Sequence, residues 1–316
     1  MVRSTFEAKR SQRGALYLCT VASAFTLAIA LNAENVDIDI HEVDATGRSS
    51  PGHHMLLETL SDHPRVYRIQ GLLSAAECDQ LIASGTSRLN ASEMGAADHA
   101  PTGEDDRPAS SRTSSSMHFD DGADEGEPWL HMLRQRWANV ARLPLSLGEP
   151  TQLARYRGAE AYGLHLDASE EVRRLATVLT YLSDVEEGGE TIFPRIASAG
   201  ARRGSGGVMQ PLAKLAAAGM LARELSRGSR YCEKGHVLRI PPRKGDALLF
   251  FPLLHDGTPD HDTIHAGCAV RGSSDVKYVA QQWFTLPASW PEPSSTSGSE
   301  GAQNPRDVWK LRVGPF

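Results

Sequence analysis

The sequence lacks the features that mark several common protein classes. Its four cysteines, Cys19, Cys78, Cys232 and Cys268, form no Cys-x-x-Cys pair, so a structural zinc site of that kind is not expected. Helical heptads are absent, whereas glycine (28) and proline (18) are frequent, which favours a loop-rich, strand-rich protein over a helical bundle. The net charge is −6 and basic residues are scattered, so we expect no nucleic-acid partner.

The N-terminal region contains a long stretch without charge. Residues 1–13 are basic, and the twenty residues 14–33 carry no charged side chain. A helix of that length spans about 30 Å, the thickness of a bilayer's hydrocarbon core. We therefore expect a cytosolic tail at 1–13 and a membrane-spanning signal anchor at 14–33, with the remainder in the lumen of the endoplasmic reticulum or Golgi. The alternatives are a cleaved signal peptide, which would give a secreted protein, and a buried core helix.

The remaining chain divides by composition. Residues 34–62 are acidic without a clear period and predict a stem, and residues 291–316 predict a low-complexity tail. We expect the folded domain at 63–290. It begins with an alternating strand at 65–70 and a helix that starts at the capping box of Ser74 and Glu77 and ends at Gly85. The apolar spacing of Leu130, Leu133, Trp137 and Val140 predicts a second helix.

From Gln152 the hydrophobic period changes to two. Between 195 and 235 lies an insertion with one helical stretch near 211–226. The predicted strands are at 152–156, 162–167, 174–182, 190–193, 237–240, 246–251, 263–270 and 276–285. Eight short strands separated by turn signals predict a mainly β, or α+β, fold whose core is a double-stranded β-helix, or jelly roll, supported by the two N-terminal helices.

The strongest candidate for chemistry is the pair His165 and Asp167. On an extended strand these side chains leave the same face and can converge on one point. A second histidine would complete a two-His, one-carboxylate set, which suits Fe(II) with positions left open. His265 is the candidate third ligand because it begins an apolar strand, whereas His255 and His261, the alternatives, lie in a polar loop.

The spacing alone is weak evidence, because it occurs twice. His118 and Asp120 have the same spacing within a polar run rich in serine, aspartate and glycine. No later pairing of histidine with lysine accompanies them, whereas Lys277 follows His265 on another predicted strand. We therefore interpret the pair at 118 as a polar strand or turn.

Several segments in order resemble one family. Over about 64–286 the chain is similar to the prolyl 4-hydroxylases of the 2-oxoglutarate- and Fe(II)-dependent dioxygenase superfamily, above all the plant and algal membrane-anchored type. The matching segments are Gly71-Leu-Leu-Ser74, Arg112-Thr-Ser-Ser-Ser-Met117, Ala154-Arg-Tyr156, Tyr162 with His165-Leu-Asp167, Arg174 through Thr191-Ile-Phe-Pro194, Arg243 through Phe250, His265-Ala-Gly-Cys268, and Lys277 to Trp283-Phe284.

The resemblance implies a role for each site residue. It makes His165, Asp167 and His265 the iron ligands. It makes Lys277 the partner of the distal carboxylate of 2-oxoglutarate, with Tyr156 and Thr191 as hydrogen-bonding residues, and Tyr162 and Arg174 as contacts to the peptide substrate. It implies Fe(II), 2-oxoglutarate and O2 as cofactors and co-substrates, ascorbate as reductant, and a proline-rich polypeptide as partner. The oligomeric state is not implied.

Two departures from the family concern the substrate. His265 and Lys277 are twelve residues apart, more than the family's usual gap, although Trp283 then falls at its expected place. Thr285 occupies a position where the family commonly has a histidine near the peptide. The prediction is a peptidyl-prolyl 4-hydroxylase. The alternatives are an enzyme of the same superfamily acting on lysine, another residue or a small molecule, and an inert jelly roll that binds peptides or glycans.

Overall fold

The structure is a computed structural model that describes part of the chain. The described residues are 3–9, 35–43, 53–92, 112–120, 127–198, 209–217, 220, 228–233, 235–272 and 274–287. Within them no helix is long and apolar enough to cross a membrane. The predicted anchor at 14–33 and the predicted tail at 291–316 lie outside the described residues.

Strands dominate the described residues. The strands are β1 Arg3–Lys9, β2 Asn35–Val43, β3 His53–Asp62, β4 Arg65–Gln70, β5 Asn90–Ala91, β6 Ser115–Phe119, β7 Thr151–Arg157, β8 Tyr162–His165, β9 Arg174–Tyr181, β10 Thr191–Ala197, β11 Val237–Ile240, β12 Ala247–Phe250, β13 His265–Gly267 and β14 Val276–Thr285. The helices are α1 Ala75–Gly85, α2 Pro128–Ala141 and α3 Leu212–Ala217. All eight strands predicted after residue 150 are present, with ends shifted by a few residues.

The strands form two antiparallel sheets. The large sheet has the order β1-β2-β3-β4-β12-β9-β14-β7-β6-β5, and the small sheet has the order β11-β10-β13-β8. Strands β9, β14 and β7 lie side by side at the centre of the large sheet. In the central part of each sheet the neighbours are distant in sequence, as in β4-β12-β9-β14-β7 and β10-β13-β8. Such crossovers between two sheets are those of a jelly roll, so the predicted fold class is confirmed.

The two N-terminal helices pack on one face of the large sheet. Helix α1 begins at Ser74, whose hydroxyl accepts a hydrogen bond from the Glu77 amide while the Glu77 carboxylate accepts from the Ser74 amide, as the capping box predicts. In α2, the Trp137 indole N–H donates to Thr180 Oγ1 on β9 at 3.0 Å. The opposite face of the large sheet meets the small sheet across a second core, which includes Tyr156, Tyr162, Leu179, Tyr181, Phe193, Ile240 and Val279.

The start of the folded region differs from the prediction. Strand β3 pairs with β4, and Met55 and Leu57 are buried in the core although they lie in the predicted stem. Strand β2, also in that stem, pairs with β3 on one side and with β1 on the other. The alternation of Val36, Ile38 and Ile40 carries a period of two that the acidic composition of 34–62 obscured. The β1–β2 pairing places residues of 1–13 beside residues of the predicted stem.

A disulfide and a short helix cover the outer face of the small sheet. Cys232 and Cys268 are bonded, with Cα atoms 5.7 Å apart, and Cys78 is a buried free thiol. Helix α3 lies in the insertion where a helical stretch was predicted, and its Leu215 joins the core under the disulfide.

Candidate active site

Three predicted metal ligands converge between the sheets. Strands β8 and β13 are neighbours, and His265 stands opposite His165 in their register. Asp167 follows β8 by two residues, and its Oδ1 lies 3.7 Å from His165 Nε2 and 3.8 Å from His265 Nε2. All three side chains are buried, and their ligand atoms lie within 4.8 Å of one another. One atom of each residue therefore faces a common point.

Backbone carbonyls fix the tautomer of both imidazoles. His165 Nδ1 lies 2.8 Å from the carbonyl oxygen of Gly163, and His265 Nδ1 lies 3.0 Å from that of Thr263. Because a carbonyl oxygen only accepts, each Nδ1 carries a proton, so Nε2 is the ring atom that can ligate a metal. Histidines that ligate metals are commonly held this way.

The large sheet anchors the third ligand. Asp167 Oδ2 accepts hydrogen bonds from Thr177 Oγ1 at 2.6 Å and from the Trp283 indole N–H at 3.3 Å, so Oδ1 is left facing the imidazoles. Burial by itself would raise the pKa of the Asp167 carboxyl. Nearby His265, His165 and Arg174, together with the Thr177 hydrogen bond, outweigh burial and lower this pKa, so Asp167 is an anion.

The donor set fits iron. His265 Nε2 is buried and has no hydrogen-bond partner within the part of the chain that the structure describes. A buried imidazole nitrogen without a partner costs free energy unless an ion or ligand satisfies it. Two imidazoles and one carboxylate on one face match the ligand set of Fe(II) oxygenases, with positions remaining for other ligands.

A buried lysine, Lys277, lies on the large-sheet side of the site. Lys277 on β14 is 3% exposed, and its Nζ makes no hydrogen bond or ion pair with the described residues. Its Nζ lies 5.3 Å from the Tyr156 ring centroid and 5.7 Å from that of Tyr181. Burial lowers the pKa of Lys277 to about 8, although Glu190 partly opposes the shift. The buried ammonium group is therefore suited to bind an anionic group of a ligand.

The two hydroxyl residues predicted as partners of the same co-substrate group as Lys277 lie on different sheets. Tyr156 on β7 pairs in register with Lys277. Thr191 begins β10 of the small sheet, and its Oγ1 accepts a hydrogen bond from the Tyr181 hydroxyl at 2.8 Å. Sequence reasoning gave Tyr181 no role. Strand β9 is buried along nearly its whole length, so its residue types alone did not show which face points into the site.

The two predicted substrate contacts form the wall around the metal ligands. The Tyr162 ring stacks on His165 with centroids 3.6 Å apart. Arg174 donates to both carboxylate oxygens of Glu149, at 2.8 and 2.9 Å, and its guanidinium lies 3.9 Å from the Trp283 ring centroid. The Thr285 hydroxyl also bonds Glu149. Arg174 is thus held against the indole that contacts Asp167.

The alternative histidines lie elsewhere. The cluster of His165, Asp167 and His265 is the group of metal-ligating type found among the described residues. His118 lies on β6 with its Nε2 3.0 Å from Gln152 Nε2, in agreement with its interpretation as a polar strand residue. His261 begins the short 3₁₀ turn that leads into β13, and His255 is exposed in the preceding loop.

Comparisons with known proteins agree with this geometry. The model of the 2OG-Fe(II) oxygenase superfamily matches residues 151–285. Prolyl 4-hydroxylase 2 of Arabidopsis thaliana is 31% identical over 235 residues, which cover 72% of this chain and 69% of that protein. Probable prolyl 4-hydroxylase 4 of the same plant is also 31% identical, over 72% of this chain and 70% of its own length.

A solved structure shows a weaker similarity. The viral collagen prolyl hydroxylase of Paramecium bursaria Chlorella virus-1, in its 2-oxoglutarate complex, is 22% identical and gives a TM-score of 0.43, covering 70% of this chain and 96% of that chain. Because this score is low, the family assignment depends on the sequence matches.

Proposed function

The chain belongs to the prolyl 4-hydroxylase family of 2-oxoglutarate- and Fe(II)-dependent oxygenases, and we propose from this premise that it hydroxylates C4 of proline in proline-rich polypeptides. In this reaction one oxygen atom of O2 enters the substrate as hydroxyl and the other enters succinate, while 2-oxoglutarate loses CO2. The observation that carries the proposal is a buried His-Asp-His set together with the buried Lys277, which forms no ion pair with the described residues.

The chain's own residues provide binding and orientation. His165, Asp167 and His265 would hold Fe(II), which supplies the activation of O2 when bound. Lys277 would bind the distal carboxylate of 2-oxoglutarate, with hydrogen bonds from the hydroxyls of Tyr156 and Thr191. The rings of Tyr156 and Tyr181 lie near Lys277 Nζ and would shield this ion pair from water, which would strengthen it.

The substrate would lie on the metal side of the co-substrate. Tyr162 stacks directly on a metal ligand, and Arg174 is fixed at the indole of Trp283. An extended, polyproline-like segment exposes its pyrrolidine rings and loses little conformational entropy on binding, so it suits a groove walled by aromatic and cationic side chains. Ascorbate would serve as the reductant that keeps the metal ferrous.

The direct test is turnover of a proline-rich peptide. The protein is incubated with Fe(II), 2-oxoglutarate, O2 and ascorbate, succinate is measured, and the peptide is analysed by mass spectrometry. We expect one oxygen atom to be added at proline, and no product from the Asp167→Ala variant. Oxygen added at lysine would show that the enzyme hydroxylates lysine and not proline. Succinate release without any peptide product would favour a small-molecule substrate.

We also infer that the catalytic domain matures in an oxidising compartment of the secretory pathway. The support is the Cys232–Cys268 disulfide, the charge-free segment 14–33 and the sequon at Asn90, a residue that is exposed. Expression in a eukaryotic secretory host tests this. We expect a glycosidase-sensitive mass shift that Asn90→Gln abolishes, and a fully reduced, unglycosylated product would contradict the inference.

A further inference from the structure

One buried side-chain amide in the site wall, that of Gln281, has an oxygen without a hydrogen-bond partner among the described residues. Gln281 lies on β14 between Lys277 and Trp283, and residues two apart on a strand share a face, so all three point toward the small sheet. Its side chain is 3% exposed, and Oε1 is buried without a hydrogen-bond partner among the described residues. A buried carbonyl oxygen of this kind is rare unless a bound molecule satisfies it.

Two other glutamines nearby show that the chain can satisfy such amides. Gln152, opposite Gln281 in register on β7, accepts from Arg112 Nη2 at 2.7 Å, and its Nε2 lies 3.0 Å from His118 Nε2. Gln282, on the opposite face of β14, accepts from Thr151 Oγ1 at 2.6 Å and donates to the Glu149 carbonyl at 2.7 Å. Among these three glutamines, Gln281 is the one whose side-chain oxygen accepts no hydrogen bond from the described residues.

The co-substrate cannot satisfy this oxygen. Both carboxylates and the keto group of 2-oxoglutarate are hydrogen-bond acceptors, and a carbonyl oxygen needs a donor. The proposed position of the distal carboxylate is at Lys277, and Gln281 lies four positions further along β14, about 13 Å away. Gln281 therefore lies toward the metal end, beside Trp283 and hence beside Asp167, where the substrate must approach.

A main-chain peptide group is the chemical match for a glutamine amide. Each has a carbonyl acceptor and at least one N–H donor, so the Gln281 oxygen can accept a hydrogen bond from a peptide N–H. The nitrogen of proline has no hydrogen, so the nearest donor on the substrate is the amide of the residue that follows the target proline.

We propose that Gln281 binds this amide and makes the enzyme prefer Pro-Xaa over Pro-Pro, where Xaa is any residue with an N–H. The proposal rests on the proposed function and adds a specificity-determining residue to it. When proline follows the target, no donor is available, and the buried Gln281 oxygen stays unmatched in the complex, which lowers kcat/KM.

Two peptides that differ by one methyl group test the proposal. Both contain one target proline, followed in the first by alanine and in the second by N-methylalanine, which lacks the N–H. We expect the wild-type protein to hydroxylate the first with a kcat/KM about tenfold higher, the value of one hydrogen bond. In Gln281→Met, of similar shape but without the amide, the ratio should fall to near one, with unchanged affinity for Fe(II) and 2-oxoglutarate.

Gln282→Met is the matched control, because the same side chain there faces the helices and is fully bonded. We expect a lower unfolding temperature and an unchanged ratio between the two peptides. Equal rates on both peptides in the wild type, or the wild-type ratio retained in Gln281→Met, would overturn the role of Gln281 while proline hydroxylation stands. If the wild type releases succinate but hydroxylates neither proline, the proposed function fails and this inference fails with it.

Discussion

His165 and His265 lie directly opposite each other on adjacent antiparallel strands, and their ring centroids are 4.2 Å apart. A backbone carbonyl two residues earlier holds the Nδ1 of each ring. The same local geometry is thus used twice, once on each strand, to aim two Nε2 atoms at Asp167.

Removing the carboxylate should abolish metal binding. In Asp167→Ala two imidazoles remain without the anion that they face, so we expect Fe(II) affinity to fall at least about a hundredfold and turnover to disappear. Calorimetric titration with Fe(II) under anaerobic conditions checks this. Asp120→Ala, in the second His-x-Asp pair, is the control and should bind the metal as the wild type does.

Thr177→Val should weaken the metal site without removing a ligand. The variant deletes the shorter of the two hydrogen bonds to Asp167 Oδ2, so the carboxylate is less well oriented. We expect about 10–100-fold weaker Fe(II) binding. Thr180→Val on the same strand deletes the hydrogen bond from Trp137 instead, and it should lower stability while leaving metal affinity unchanged. Equal metal affinity in the two variants would contradict the role of Thr177.

Lys277→Met should separate co-substrate binding from stability. The variant loses the proposed partner of the distal carboxylate, so the KM for 2-oxoglutarate should rise by about two orders of magnitude. Without co-substrate it should be more stable than the wild type by about 1–3 kcal/mol, because a buried charge without a partner is removed. Denaturant unfolding and steady-state kinetics measure the two effects. Lys244→Ala, on an exposed lysine paired with Asp79, should change neither by a comparable amount.

The lowered pKa of Lys277 predicts opposite pH trends for stability and for co-substrate binding. The pKa is about 8 in the folded state against 10.5 for an ordinary lysine, so between these values the unfolded chain binds more protons. Stability of the protein without co-substrate should therefore rise from about pH 8 to pH 10.5, by about 3 kcal/mol at most for this group.

Over the same range the ammonium form is lost, so the KM for 2-oxoglutarate should increase up to about tenfold per pH unit above 8. Unfolding curves and kinetics across pH 7–10 check both trends. In Lys277→Arg the guanidinium stays protonated, so its KM should stay flat. A flat wild-type KM across this range would contradict the role of Lys277.

Loss of the disulfide should destabilise the small sheet. The bond closes a segment with a sequence separation of 36, which corresponds to about 3–4 kcal/mol from chain entropy. Cys268 is three residues from His265, so we also expect weaker Fe(II) binding in Cys232→Ser/Cys268→Ser. Thermal unfolding with and without reductant measures the effect. Reductant should lower the wild-type unfolding temperature and leave the double variant unchanged.

Much of the fold was predictable because its signals are local. The period of two after Gln152 gave every later strand, and the capping box at Ser74 gave the start of α1. Strand β2 was missed because the acidic composition of 34–62 masked the alternation of Val36, Ile38 and Ile40. The pairing of Cys232 with Cys268 depends on contacts across 36 residues, which no local pattern encodes.

The site was predictable to a lesser degree. The resemblance indicated His165, Asp167, His265 and Lys277, and the structure brings these four residues to one space between the sheets. Tyr181 and Gln281 were given no role, because a strand buried on both faces shows no alternation that separates the site face from the helix face. Which face points inward is decided by the register of β9, β14 and β7.

The two imidazole ligands come from the small sheet. Thr177 and Trp283, which donate hydrogen bonds to Asp167, come from the large sheet. The iron site is therefore complete only after the two sheets have docked. A nascent or damaged chain with separated sheets would hold no well-formed centre and would consume neither O2 nor 2-oxoglutarate. Folding itself would therefore prevent the oxygen chemistry from starting before the site is enclosed between the two sheets.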